Sequence, residues 1–153
     1  TLGAQMGWDV RVIASPKDPK TKANFPGVQE VLHLLPEQAS GLHIDAESAV
    51  VLMNHNYATD LNFLVNILDK QPQYIGILGS SKRREKLFNE LIDYKPDLDA
   101  TVLDCIYGPA GIDIGAITPQ EIALSVLAEI LAVKRKREVS SLRDKIGSIH
   151  KEV

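Results

Sequence analysis

A single cysteine, Cys105, leaves no partner for an internal disulfide. That suits a reducing compartment such as the cytoplasm. Basic residues are not in excess: 17 Lys and Arg against 20 Asp and Glu give a formal charge of −3. Nothing in that balance points to nucleic acid. No apolar run nears the roughly 20 residues of a membrane-spanning helix, and no signal peptide, repeat or low-complexity segment stands out. His33, His43 and His55 lie in separate segments without metal-ligand spacing. No nucleophile, base and orienting group fall into a hydrolase-like set. What is there is a chain of 153 residues, 44% hydrophobic and 24% charged, enough for one domain with a sizeable core.

The most informative stretch is Tyr74-Ile75-Gly76-Ile77-Leu78-Gly79-Ser80-Ser81-Lys82-Arg83-Arg84. An apolar run ends at a Gly-Ser pair, and cations with a helical pattern follow. A buried parallel strand feeding directly into a helix reads this way. Such a junction presents free backbone N–H groups and the positive end of the helix dipole, where phosphate fits. The plainer alternative is that Gly79 allows a tight turn.

Around it, strand and helix patterns alternate. Thr1 to Trp8 reads as the end of a helix stopped by Gly7, and Asp9 to Ala14 as a strand. Ser15-Pro16-Lys17-Asp18-Pro19 is a turn-rich loop. Glu30 to Leu34 gives a short strand, and Pro36 opens a brief helical turn through Ser40. Ala49 to Met53 is a continuous apolar run, as expected of a strand covered on both faces. Thr59 or Asp60 can cap the next helix, whose inward face is Leu61, Leu64, Val65 and Leu68. The helix from Ser81 to Tyr94 carries Leu87, Leu91 and Ile92 inward, and Val102 to Tyr107 reads as a strand. Thr118-Pro119-Gln120-Glu121 is a helix start with N-cap, proline and capping box. The following helix, with Ile122, Ala123, Val126, Leu127, Ile130 and Leu131 on its apolar face, reaches about Lys136. Residues 1–137 form the domain and 138–153 a polar, partly frayed tail. The fold class is α/β, with a mainly parallel sheet and helices on both faces. Its ligand rim lies at the carboxyl ends of the strands, joining the Asn54 to Asp60 loop, the Gly79 junction and the Gly108 to Gly115 loop.

On that rim each candidate has two readings. Gly79, Ser80 and Ser81 offer N–H groups and hydroxyls to a ligand, or simply start a helix. Arg83 neutralises phosphate, or is a solvated cation. His55 serves a ligand, or is an ordinary hydrogen-bonded histidine; Asp60 partners it, or caps a helix. Gly111, Asp113 and Gly115 form a loop whose carboxylate accepts from a ligand amine or hydroxyl, or from the loop backbone. Gly76, mid-strand, reads as close packing. Cys105 reads as a buried structural thiol over a sulfur relay.

Four blocks in series also resemble the C-terminal Rossmann-like domain of the XdhC/CoxF family, maturation factors for xanthine and carbon monoxide dehydrogenases. They are Leu52-Met53-Asn54-His55 with Asp60, Tyr74 to Ser80, Gly108-Pro109-Ala110-Gly111-Ile112-Asp113-Ile114-Gly115-Ala116, and Thr118 to Leu124 with Ala128-Glu129-Ile130. The resemblance covers about Gly7 to Arg137. It implies a molybdenum-cofactor (molybdopterin) chaperone that protects the cofactor during sulfuration and delivers it to a molybdenum hydroxylase, with a cysteine desulfurase as a further partner. Complete members carry an upstream Cys-bearing domain and begin the Rossmann part with a strand and a Gly-rich turn. This chain begins in what matches the first crossover helix, so a fragment or a diverged member is expected. Without a central first strand the sheet has open edges, and a homodimer or swapped assembly is expected. Ala14-Ser15-Pro16-Lys17 stands where the family tends to carry an acid and then a base. An acid at that place holds ribose in dinucleotide sites, so NAD(P) binding by an oxidoreductase domain is the lesser alternative. A pure interaction module is a further one.

Overall fold

Short apolar segments separated by turn residues form the strands of the computed structural model, which describes residues 1–150. In chain order the elements are α1 (Leu2–Gln5), β1 (Arg11–Ala14), β2 (Glu30–His33), β3 (Ala49–Leu52), α2 (Tyr57–Ile67), β4 (Tyr74–Ile77), α3 (Ser81–Tyr94), β5 (Ile106–Tyr107) and α4 (Pro119–Lys134). Several 3-10 turns lie between them, including Pro36–Gly41 and Ala100–Cys105. All strand pairings are parallel. β1 pairs with β2, and β4 lies between β3 and β5. Among the described residues no strand joins the two sheets.

Strand alternation sorts β4 onto two cores. Ile75 and Ile77 face α2 and α3, packing with Leu61, Leu64, Ile67, Leu87 and Leu91. Tyr74 faces the other way, where Val126 and Ile130 of α4 cover it and Trp8 packs alongside. Helices therefore lie on both faces of the parallel strands, and the fold is a Rossmann-like α/β arrangement. Gly76 is buried mid-strand, and a Cβ there would lie 2.7 Å from the Tyr74 ring, so close packing excludes a side chain. No helix of the described residues is long and apolar enough to cross a membrane.

Four local expectations change. The N-cap of α2 is Asn56, whose side chain accepts from the Ala58 and Thr59 N–H groups at 2.9 and 3.4 Å; Thr59 and Asp60 lie inside the helix. Ile92 is half exposed, because Leu87 and Leu91, with partly buried Phe88, occupy the inward side of α3. Val102–Cys105 is not strand. Asp99 accepts from the Thr101 N–H at 2.9 Å and starts a 3-10 turn instead, leaving only Ile106–Tyr107 to pair with Ile75–Gly76. On α4 the buried positions are Ser125, Val126 and Ile130, while Ile122 and Leu131 are exposed. The Thr118, Pro119 and Glu121 start forms as read: Glu121 accepts from the Thr118 N–H at 2.8 Å, and Thr118 Oγ1 accepts from the Glu121 N–H at 3.3 Å.

Candidate functional site

Parallel pairing delivers the chain from β3, β4 and β5 to the same edge. Two backbone bonds beyond the strands hold the exits together: Leu78 N–H donates to Leu52 O and Ala110 N–H to Ile77 O, both at 3.0 Å. The three expected loops are thus neighbours, with the β4 exit in the middle.

The first two loops are locked by a buried ion pair. Asp60 is fully buried, and its Oδ2 accepts from Arg83 at 2.7 Å. Its Oδ1 accepts from the Asn54 side-chain amide at 2.7 Å and the Asn54 N–H at 3.3 Å. Arg83 also donates to the Asn54 carbonyl at 2.9 Å and the His55 carbonyl at 3.4 Å. Asp60 and Arg83 therefore shape the rim rather than project from it. Ser80 is the N-cap of α3, and its Oγ accepts from the Arg83 N–H. Gly79 has φ +123°, a region that favours glycine, and lets the chain turn sharply into the helix. Gly79, Ser80 and Ser81 lie at the junction, with both serines exposed.

The third loop hangs from α4. Glu129 Oε1 accepts from the buried Tyr74 hydroxyl at 2.7 Å and from the Gly111 N–H at 2.9 Å. Tyr74 stacks on Tyr107 at 4.6 Å, and burial pushes its hydroxyl well above the usual phenol range. Ser125 Oγ donates to the Ile112 carbonyl at 2.6 Å. Gly111, at φ +112°, sits so close that a Cβ would collide with Ser125 Oγ. Sequence patterning alone does not reveal Glu129 and Ser125 as loop anchors. Glu129 lies within one of the resembling blocks, but its spacing of 18 residues from Gly111 gives no local signal.

The exposed candidates divide between two clefts. His55 lines one of about 340 Å³ with Asn54, Asn56, Thr59, Ser15 and Phe63, where the exits of β1, β2 and β3 meet. Asp113 lines another of about 310 Å³ with Gly111, Gly115, Ile122 and Ser125. His55 and Asp113 do not share a cleft, and His55 and Asp60 do not bond through their side chains. Cys105 lies in the 3-10 turn before β5, where it donates to the Val102 carbonyl, and burial pushes its thiol up. A thiol so placed is poorly suited to sulfur relay. No group of three His, Cys, Asp or Glu residues could hold a metal ion among the described residues.

These features define a Rossmann-like domain with its rim at the carboxyl ends of parallel strands. The chain belongs to the XdhC Rossmann domain family, whose model matches residues 1–130. It is 30% identical over 136 residues to a protein of Bacillus subtilis (strain 168) named as a probable xanthine dehydrogenase component, covering 88% of this chain and 38% of that protein. It is 32% identical over 111 residues to the molybdenum cofactor insertion chaperone PaoD of Escherichia coli (strain K12), covering 72% of this chain and 34% of PaoD. A crystal structure described as that of a xanthine dehydrogenase from Bacillus halodurans superposes with a TM-score of 0.72 at 28% identity, over 90% of this chain and 38% of that one. The chain thus spans little more than a third of the length of these relatives.

Proposed function

We propose that this chain is the cofactor-holding domain, residues 1–137, of a maturation factor that binds molybdenum cofactor and assists its sulfuration and insertion into xanthine dehydrogenase-type enzymes. The observation that carries the reading is the rim itself: three adjacent loops, two locked by Asp60–Arg83 and one by Glu129–Gly111, in a chain related to an insertion chaperone. The residues fit an anionic pterin. The start of α3, at Gly79, Ser80 and Ser81, offers N–H groups to an anionic group. The Gly111 turn brings bare backbone to the Asp113 cleft. The exposed Asp113 carboxylate accepts from a pterin amine, and His55 donates from the neighbouring cleft. When bound, the cofactor supplies the molybdenum centre of the recipient enzyme. The role of this chain is to hold and shield it.

Sulfur comes from a partner such as a cysteine desulfurase or from the Cys-bearing domain that complete members carry, while Cys105 is engaged in the fold. The setting is a reducing one such as the cytoplasm. Self-association as a homodimer is part of the same proposal, through the edges of β1 or β3 that have no strand partner among the described residues. NAD(P) is the weaker ligand. After β1 the nearest acid, Asp18, accepts from the Lys20 N–H at 2.9 Å and pairs with its ammonium at 3.5 Å. Pterin analysis of protein purified from a cofactor-producing host tests the reading: retained pterin supports it, and titratable NAD(P) binding without pterin overturns it.

A further inference from the structure

Three cations follow the β4 exit, and the structure treats each differently. Lys82 is exposed. Arg83 is neutralised by buried Asp60 at 2.7 Å and donates to two backbone carbonyls. The Nε of Arg84, like that of Arg83, is buried without a partner, but Arg84 alone of the two has neither an ion pair nor a hydrogen bond among the described residues. Its stem packs beneath the start of the third loop, where a Cβ on Gly108 would lie 3.2 to 3.3 Å from Arg84 Cδ, Cγ and Cβ. Its guanidinium carbon stands 4.9 Å from the centre of the Phe88 ring. Both contacts restrain the side chain before any ligand arrives, so little rotamer freedom is left to lose.

A buried N–H donor of a charged group without a partner is costly. A restrained guanidinium fork matches the paired oxygens of phosphate. We propose that Arg84 is an anion-binding residue of this rim, taking a phosphate monoester where α3 meets the Gly108 to Gly115 loop. The inference rests on the cofactor reading for the identity of the ligand, whose phosphate it assigns to Arg84 rather than Arg83. It follows from the pairing of each arginine: a second anion at Arg83 would compete with Asp60, whereas Arg84 has no carboxylate to displace.

The arginine Nε–H resonances of the 15N-labelled chain, titrated with inorganic phosphate at constant ionic strength, test it. The expected result is a saturable shift of the Arg84 signal with the Arg83 signal nearly still. Arg84→Gln should weaken phosphate binding roughly tenfold or more, the scale of one charge-assisted bond. Arg84→Lys, which keeps stem and charge but loses the fork, should give an intermediate loss even if the glutamine variant folds poorly. Lys82→Gln should change affinity by less than about twofold, as for a screened surface charge. An unmoved Arg84 signal, or an equal loss in Lys82→Gln, would overturn the assignment. Pterin retention separates the two readings. Phosphate binding that depends on Arg84 in a chain retaining no pterin supports the anion site while the cofactor reading fails. Undiminished pterin in Arg84→Gln overturns the anion site and leaves the cofactor reading standing.

Discussion

Asp60 carries a full charge out of water and recovers it through Arg83 and two donors from Asn54. Removing one member of a buried pair strands the other, at a cost of about 3–5 kcal/mol. Arg83 remains one-fifth exposed, which favours the lower end. Asp60→Ala should therefore lower the unfolding free energy by about 3 kcal/mol in urea, and Asp60→Asn by less, since the amide can still accept from Arg83. Cys105 gives a second residue-scale expectation. Its raised thiol and its bond to Val102 predict slow alkylation in the native chain that becomes fast in denaturant. The same residue marks where sequence patterning reached its limit. Val102 to Tyr107 is apolar enough for a strand, yet short apolar runs do not distinguish strand from other buried segments. Asp99, three positions before Val102, decides the matter by capping a 3-10 turn. Asp60 was legible as important but not as buried, because its partner Arg83 lies 23 residues away.

At the scale of elements, α4 bears on the site through its start and its inward face. Glu121 is held below the usual carboxylate range because the Thr118 and Ile117 N–H groups donate to it. A depressed folded-state value contributes stability above the unfolded value and loses it as pH falls through the folded value. The gap in melting temperature between the wild type and Glu121→Gln should therefore be widest near neutrality and close on acidification. A gap independent of pH would contradict it. Thr118→Ala should cost about 1 kcal/mol, as N-cap removal does. This start was readable from four consecutive residues because three of them, Thr118, Pro119 and Glu121, act locally. The inward face was not. Ser125 and Glu129 hold the Gly108 to Gly115 loop through tertiary contacts, and helical periodicity has no term for a polar residue turned inward to a loop.

For the molecule as a whole, alternating strands and helices sufficed to place three loops on one edge, because parallel strands force their exits to the same side. The division of that edge into separate His55 and Asp113 clefts depends on side-chain packing and lay beyond reach. The open edges expected without a central first strand are present among the described residues, as two unjoined sheets, β1–β2 and β3–β4–β5. Among the described residues the outer edges of β1 and β3 have no strand partner, and such edges offer N–H and C=O groups to another chain. If the proposed self-association holds, sedimentation velocity of this 153-residue chain should detect a concentration-dependent dimer; a monomer across the micromolar range would contradict self-pairing.

The most direct measurement is the pterin content of the chain purified from a cofactor-producing host, released by oxidation and quantified by fluorescence. Pterin should co-purify with the wild type and fall roughly tenfold in Asp113→Ala, the scale of a lost bond to a charged group. Asp113 is exposed, so that variant should keep its fold. A folded wild-type chain carrying no pterin would contradict the cofactor-holding role.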